Sequence, residues 1–98
     1  MTVVVWTLEA ADDRERIFEY VAEHSPSAAI TLDDGFIEAV QRLEQFPALG
    51  KQGRVTGTRE LVVHENYIVV YEWSKEIDQV LIVAMVHSRM LWPAVGKK

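Results

Sequence analysis

Cysteine is absent from this 98-residue chain, and proline and glycine are scarce, at 3 and 5 residues. The lack of cysteine excludes a disulfide framework, a thiolate zinc site and a cysteine nucleophile, and it is compatible with a reducing cytosol. Few prolines and an apolar content of 49% favour a folded globular protein over a disordered one. A chain of this length can build one hydrophobic core, so residues 1–98 are predicted to form a single domain.

Long apolar runs are also missing. Val80–Val86 is among the longest, and it is far short of the ~20 residues that a membrane helix requires. The N-terminal stretch MTVVVWT has neither a basic leader nor a small-residue cleavage site, so it does not indicate a signal peptide. These absences predict a soluble cytoplasmic protein that is not associated with a membrane.

Positive charge is in short supply, and it is unevenly placed. The net charge is −5, with ten acids against three bases in residues 9–50 and five acids against seven bases in residues 51–98. This distribution indicates either an ordinary solvated surface or an acidic face opposite a mildly basic one. The acidic total disfavours a protein that holds nucleic acid mainly by neutralising phosphates.

The first half of the chain predicts one strand and two helices. The β-branched run Thr2–Thr7 indicates a buried strand. Apolar residues at helical spacing predict an amphipathic helix over Leu8–His24, with Thr7 as its N-cap. A second helix is predicted over Pro26–Gln45, with Ser25 as its cap and Pro26 in its first turn. A loop over Phe46–Gly53 follows, and it contains a proline and two glycines. The short connection between the helices requires them to fold back as a helical hairpin.

The second half predicts three strands. Arg59–Val63 and Tyr67–Trp73 flank a tight polar bend, and Val80–His87 follows a second polar turn. Short turns make these three strands antiparallel. The segment MLWPAVGKK follows as a tail whose Pro93 ends strand pairing. The predicted fold class is therefore α+β, in the order β-α-α-β-β-β, with the helical hairpin packed on one face of a mainly antiparallel sheet.

Strand alternation predicts which side chains share a face of the sheet. In the third predicted strand the aromatic side chains alternate, which favours a buried aromatic stripe over a base-stacking platform; they are Tyr67, Tyr71 and Trp73. In the last strand, strict alternation places one set of residues together on one face: Leu81, Val83, Met85, His87 and Arg89. His87 and Arg89 are thereby expected to lie side by side at the strand end.

Cationic side chains near the strand ends form the candidate site. Arg54 and Arg59 precede the hairpin, and together with His87 and Arg89 they could form a pocket for phosphate or carboxylate. The alternative is that all four are ordinary structural or surface residues. The three histidines do not have metal-ligand spacing, so no metal site is predicted. The Asp33-Asp34 pair on the second helix is interpreted as a solvated face.

Four phrases together resemble a known family. The N-terminal pattern VVWT.EA..D...I..Y is similar to the first strand and helix of that family, and FPALGKQGRVTGTREL to the loop that enters its next strand. YIVVYEW is similar to its third strand, and VLIVAMVHSRMLWP to its last strand and tail. Over nearly the whole chain the sequence resembles the ParE/RelE superfamily, the toxins of bacterial type II toxin–antitoxin modules.

The resemblance implies one of two activities on one fold. RelE-like toxins cleave mRNA, usually on the ribosome, whereas ParE-like toxins poison DNA gyrase without a known hydrolytic site. Arg59 and Arg89 match recurrent arginines of the interferases. Two other interferase residues are missing: the third-strand arginine of several members falls on Ile68, and the late tyrosine is absent from the stretch that holds Trp92. His87 could substitute for this tyrosine in part. A ParE-like gyrase inhibitor is therefore favoured over an mRNA interferase.

Site residues are carried over on the same basis. If the chain is an interferase, its catalytic residues are expected to be His87, Arg89 and Arg59. If it is a gyrase inhibitor, the target-binding residues are expected to be Arg54, Arg59, Arg89 and Trp92. No cofactor is expected in either case. A third hypothesis is a degenerate member that only binds its antitoxin and regulates transcription.

The resemblance also implies a protein partner. In this family an antitoxin segment wraps the toxin, so a heteromeric complex with a cognate antitoxin is expected. A groove beside the helix pair would accept an amphipathic helix of the antitoxin. The residues predicted to line that groove are Phe18, Val21 and Phe36.

Overall fold

The computed structural model describes residues 1–89, which form five strands and two helices. The elements in chain order are β1 (Val3–Trp6), α1 (Leu8–Ala22), α2 (Pro26–Gln41), a 3₁₀ turn (Arg42–Glu44), β2 (Lys51–Gln52), β3 (Arg59–His64), β4 (Tyr67–Ser74) and β5 (Gln79–His87). The strands form one sheet in the order β1-β5-β4-β3-β2. The pair β1–β5 is parallel, and the other pairs are antiparallel. The predicted fold class is confirmed, but β2 was predicted as loop, and that part of the prediction is wrong.

Polar side chains start both helices as the sequence indicates. The Thr7 hydroxyl accepts a hydrogen bond from the Ala10 N–H at 3.0 Å and donates one to the Ile82 carbonyl at 2.9 Å. The Ser25 hydroxyl accepts from the Ala28 N–H at 3.2 Å, and Pro26 occupies the first turn of α2. Thr7 therefore caps α1 and also ties its start to β5.

Both helices end earlier than predicted. α1 ends at Ala22 rather than His24, and α2 ends at Gln41 rather than Gln45. A 3₁₀ turn follows α2, and Leu43 in this turn is completely buried. The Glu44 carbonyl of the same turn accepts a hydrogen bond from the Thr2 N–H at 3.0 Å. Burial of Leu43 and this link to the N-terminus explain why the helical pattern stops short.

The main core lies between the helical hairpin and one face of the sheet. It is built from helix residues and inward-facing strand residues, including Phe36, Leu43, Tyr67, Val69, Tyr71, Val80, Ile82 and Met85. Tyr67 and Tyr71 are buried and Trp73 packs against the same cluster. The predicted buried aromatic stripe is therefore confirmed. In this part of the chain no helix has the length and apolar content needed to cross a membrane.

A β-bulge in β5 changes which side chains face the core. Val70 pairs with Ala84, but Tyr71 pairs with Ile82, so Val83 has no partner on β4. One extra residue reverses the alternation. Met85 consequently joins Ile82 in the helix-side core, while Ala84 faces the other side. The predicted common face of Leu81, Val83, Met85, His87 and Arg89 is therefore wrong.

Two acidic residues attach α1 to its neighbours. Asp33 of α2 accepts two hydrogen bonds from the Arg14 guanidinium, both at 2.7 Å, and that guanidinium also lies 5.5 Å from the Trp6 ring centre. Asp13 accepts from the Met85 N–H at 3.0 Å, beyond the point where β1 stops pairing with β5. The interpretation of Asp33 as a solvated side chain is wrong, because it forms a bidentate ion pair between the helices.

The loop between the 3₁₀ turn and β3 is held from inside by Tyr71. The hydroxyl of Tyr71 accepts from the Gly50 N–H at 2.8 Å and donates to the Pro47 carbonyl at 2.7 Å. Burial raises the pKa of Tyr71, although the Gly50 N–H and the Arg59 charge act in the opposite direction. A Cβ on Gly50 would lie 2.9 Å from the Glu60 carbonyl oxygen, so this contact requires glycine.

Replacing Tyr71 by phenylalanine tests this contact. Tyr71→Phe removes the hydroxyl and leaves a buried donor and a buried acceptor unpaired, so the free energy of unfolding should fall by about 1–3 kcal/mol. Urea unfolding followed by circular dichroism measures the change. Tyr20→Phe makes the same substitution at an exposed position of α1 and should change stability by less than ~0.5 kcal/mol. Equal stability of the two variants would contradict the assigned role of the Tyr71 hydroxyl.

Candidate functional site

The predicted cationic pocket is not assembled, because its members lie in three separate places. Arg54 lies on the sheet face that points away from the helices. Its backbone N–H and its Nε each donate to one carboxylate oxygen of Glu60 at 3.0 Å, and its Nη2 donates to the other at 3.2 Å. Glu60 pairs with Val70, whose side chain belongs to the cluster on that face. Arg54 is therefore part of an ion pair at the start of β3.

Arg59 has a structural partner of its own. Its Nη1 donates to the Gly50 carbonyl at 2.6 Å and to the Ala48 carbonyl at 3.3 Å. Arg59 pairs with Tyr71, so it shares the helix-side face with the hydroxyl that holds the same loop. Nη1 of the guanidinium thus binds two loop carbonyls, a role that sequence reasoning missed.

His87 and Arg89 lie toward the other end of the sheet. His87 pairs with Tyr67 of β4, and the two rings meet edge-on with centres 5.3 Å apart. The His87 Nδ1 accepts from the Arg89 N–H at 3.1 Å, and Arg89 lies in the turn beyond β5. The prediction that strand alternation places His87 and Arg89 on one face is wrong, because β5 ends at His87 and Arg89 contacts its ring through a backbone N–H in the turn.

The separation of Arg59 from His87 follows from the register. Their partners on β4, Tyr71 and Tyr67, are four residues apart, and Arg59 and His87 lie on the two strands that flank β4. With ~3.4 Å per residue along a strand and ~4.8 Å between strands, the two backbone positions are about 17 Å apart. Arg59 and His87 therefore do not lie side by side, and Nη1 of Arg59 is also bound to its loop. The remaining predicted residue, Trp92, lies outside the described residues.

Glu60 is the buried charged group that the sequence analysis did not single out. It is 4% exposed, within a strand of otherwise apolar and basic residues. Burial raises the pKa of Glu60, but the Arg54 hydrogen bonds and charge, aided by Lys51, outweigh this and leave that pKa below its usual value. The sequence did contain a signal for this pair, namely an acid within a predicted strand. A carboxylate that is buried in a sheet needs a paired cation nearby.

Acid unfolding tests the Arg54–Glu60 pair. A carboxyl group with a lowered pKa in the folded state stabilises the protein above its unfolded pKa of ~4.3, and that contribution is lost as the pH falls through the folded value. The free energy of unfolding should therefore decrease below about pH 4.3. Glu60→Gln should be less stable at pH 7 and should show a weaker decrease with acid.

The matched control is Glu72→Gln, which makes the same change at an exposed position of β4. Denaturant unfolding at a series of pH values, from pH 7 down to acid, compares the three proteins. If Glu60→Gln kept the full acid dependence of the parent protein, the ion pair would not be the source of that dependence.

The predicted antitoxin groove is partly present. Phe18 is half-buried and lines a cleft of about 200 Å³ between the outer surfaces of α1 and α2, together with Ala11, Arg14, Glu15 and Asp33. Val21 is also half-buried, on the same helix. Phe36 is only 1% exposed and packs edge-on against Tyr67 at 5.6 Å. The assignment of Phe36 to a binding groove is therefore wrong, because its side chain is in the core.

A second, larger groove runs between α2 and β3. It has a volume of about 410 Å³ and is lined by Ser27, Ala28, Thr31, Leu32, Gly35, Val63 and His64. A Cβ on Gly35 would meet nothing within 4 Å, so the missing side chain leaves this groove wider. Across residues 1–89 no group of three or more histidine, aspartate or glutamate side chains is placed to hold a metal ion.

Comparison with known proteins identifies the family. The family model described as "ParE toxin of type II toxin-antitoxin system, parDE" matches residues 4–92. Y4kP of Sinorhizobium fredii, whose name describes it as a toxin, is 34% identical to this chain over 91 residues, which cover 92% of each chain. Toxin RelE2 of Caulobacter vibrioides is 35% identical over 71 residues, or 72% of this chain and 80% of that protein.

Solved structures share the fold. The toxin-like chain in the chromosomal ParDE toxin–antitoxin system of P. aeruginosa superposes with a TM-score of 0.77 at 23% identity, covering 89% of this chain and 96% of that one. The RelBE2 toxin–antitoxin complex of Mycobacterium tuberculosis contains a chain with a TM-score of 0.62 at 21% identity, covering 88% and 96%. The fold is thus that of the ParE/RelE toxins. This chain belongs to the ParE toxin family of type II toxin–antitoxin systems.

Proposed function

We propose that this toxin inhibits DNA gyrase and is neutralised by a cognate antitoxin in the cytoplasm. The observation that carries the proposal is the dispersal of the groups that an interferase would need. Arg59 is bound to loop carbonyls, Arg54 is paired with Glu60, and the backbone of His87 lies about 17 Å from that of Arg59 by the register of the sheet. A gyrase inhibitor needs a binding surface instead of convergent catalytic groups.

Proton transfer is the demanding part of the alternative activity. An mRNA interferase has to remove a proton from a 2′-hydroxyl and return one to the leaving oxygen, while cations stabilise the phosphoryl charge. His87 Nδ1 already accepts the Arg89 N–H, so this ring nitrogen is not available to take the proton of a 2′-hydroxyl. Ile68, at the third-strand position of a recurrent interferase arginine, is buried and apolar. This combination favours the ParE-like activity.

The name of one relative supports the second candidate function. Toxin RelE2 of Caulobacter vibrioides shares 35% identity with this chain over 71 residues, and a RelE-like interferase is therefore the activity against which the proposal must be tested. Expression of the full chain without antitoxin distinguishes the two. Gyrase inhibition should cause DNA breaks and a damage response, and it should be relieved by resistant gyrase variants. Rapid cleavage of translated mRNA would contradict the proposal, and unimpaired growth would favour the non-toxic regulatory protein.

His87→Gln provides a direct test of catalysis. If the toxin acts by binding gyrase, His87→Gln should reduce growth inhibition less than about twofold, because it removes a titratable group that binding does not need. Arg89→Ala, which removes a proposed target-binding cation beside it, is the contrasting variant and should lose inhibition. Growth curves after induction measure both, at matched protein levels. Loss of inhibition in His87→Gln together with loss of mRNA cleavage would establish the interferase activity.

The α1–α2 cleft is the proposed contact for an amphipathic helix of the antitoxin. Phe18 is the apolar side chain that lines it, and Val21 lies one helical turn further along. The cleft is also rimmed by charged groups, Arg14, Glu15 and Asp33, which would give the contact orientation. Binding of the antitoxin to the folded toxin should raise the melting temperature of the toxin.

Phe18→Ala should weaken antitoxin binding by 10-fold or more, as expected for a partly buried aromatic contact at an interface. Calorimetric titration with the co-encoded antitoxin measures the affinity, and the melting temperature of the free variant checks its fold. Ile77→Ala, at an exposed apolar residue of the β4–β5 turn, is the control. If both variants bind like the parent chain, the antitoxin uses another surface, such as the groove between α2 and β3.

A further inference from the structure

The loop that Tyr71 and Arg59 hold has an unusual outer surface. We call residues 46–54 the clamped loop. It exposes two large apolar side chains, Phe46 at 58% and Leu49 at 45%. Leu49 N–H donates to the Phe46 carbonyl at 3.0 Å, so both side chains belong to one tight turn. Exposed apolar residues are ordinary when scattered, but a pair on one turn is a candidate contact surface.

The inner side of the clamped loop is fully bonded. Four hydrogen bonds join its carbonyl and N–H groups at positions 47, 48 and 50 to the side chains of Tyr71 and Arg59. The Gly53 N–H donates to the Thr58 carbonyl at 2.8 Å, and the Arg54 N–H donates to Glu60 at 3.0 Å. A loop held in this way presents its outer side chains in one conformation, so a partner that binds it loses little conformational entropy.

The clamped loop differs from the helices in its charged residues. The clamped loop contains two cations, Lys51 and Arg54, and no acid, although the net charge of the whole chain is −5. Arg54 is paired with Glu60, so the positive charge offered to a partner comes from Lys51. Lys51 is exposed on the edge strand β2, two residues after Leu49 in the sequence. The helices, by contrast, carry most of the acids. A partner surface that complements the clamped loop is therefore apolar and acidic, whereas one that complements the helices is basic.

We propose that the clamped loop is a docking surface for an apolar, acidic patch on the target protein, DNA gyrase, and that it is distinct from the antitoxin-binding cleft. This inference rests on the proposed function. Phe46 supplies the aromatic side chain in which interfaces are enriched, and Leu49 adds apolar area on the same turn. A nucleic acid is disfavoured as the occupant, because the acidic chain repels a polyanion and Arg54 is already neutralised by Glu60.

Variants of the exposed side chains test the proposal. The double variant Phe46→Ala/Leu49→Ala removes both apolar anchors, and Leu8→Ala, at a residue 88% exposed at the start of α1, is the matched control. Binding of the full-length toxin to purified DNA gyrase is measured with and without DNA, and binding to the antitoxin is measured in parallel. The double variant should bind gyrase on the order of 100-fold more weakly and inhibit growth less. It should keep parent-like antitoxin affinity.

Lys51→Glu tests the charge independently of the apolar anchors. Reversal of one cation near an acidic partner should weaken gyrase binding by about tenfold at low salt and less at high salt, mainly through slower association. Lys51→Gln should have a smaller effect. Lys51→Gln should keep the melting temperature of the parent toxin within a few degrees, because Lys51 is exposed. Lys51→Glu places a negative charge opposite Glu60 and should lower the melting temperature more, so its gyrase affinity is measured well below that temperature and compared with its antitoxin affinity.

The results separate failure of this inference from failure of the proposed function. If the parent toxin binds gyrase but the double variant and Lys51→Glu bind it equally well, the docking surface is elsewhere and the inference is overturned. A fall in gyrase and antitoxin affinity together would also overturn it, as would a defect seen only when DNA is present. If the parent toxin cleaves mRNA and does not bind gyrase, the proposed function itself fails, and this inference fails with it.

Discussion

The one-residue bulge at Val83 is the constraint on which much of this structure depends. β4 and β5 form the centre of the sheet, and the bulge lets the two halves of β5 serve different neighbours. In the half of β5 before the bulge, Val80 and Ile82 pair with β1 and face the helices. In the half after the bulge, Met85 faces the helices, and its N–H donates to the Asp13 carboxylate of α1. Without the extra residue, Met85 would leave the core and His87 would leave Tyr67.

Buried polar groups hold the parts that the apolar core does not reach. Tyr71 extends from the core to two backbone groups of the clamped loop, and Glu60 on the opposite face holds the backbone and side chain of Arg54. Each interaction satisfies groups that would otherwise be buried unpaired. The same contacts occupy Arg54 and Arg59, the two cations nearest the start of the hairpin. Both side chains therefore contribute to the shape of this loop.

Much of the fold could be predicted because it depends on local pattern. Thr7 and Ser25 start the helices as expected, the aromatic stripe of β4 is buried, and the four family phrases identified the toxin superfamily. The errors have long-range causes. β2 is too short to show a period, and it exists only because it pairs with β3. The bulge is invisible in the run Val80–Val86, since every residue there is apolar and either register looks the same.

The candidate site was predicted less well than the fold, for the same reason. The sequence by itself determined the helical hairpin, the order of helices and strands along the chain and the chemical types available, because these follow from periodicity, capping and composition. Only the tertiary structure decided that Phe36 is core, that Arg59 binds carbonyls of the clamped loop and that His87 lies far from it. Those outcomes depend on strand register and on which partner each polar group meets, and register is set between distant segments of the chain rather than within any one of them.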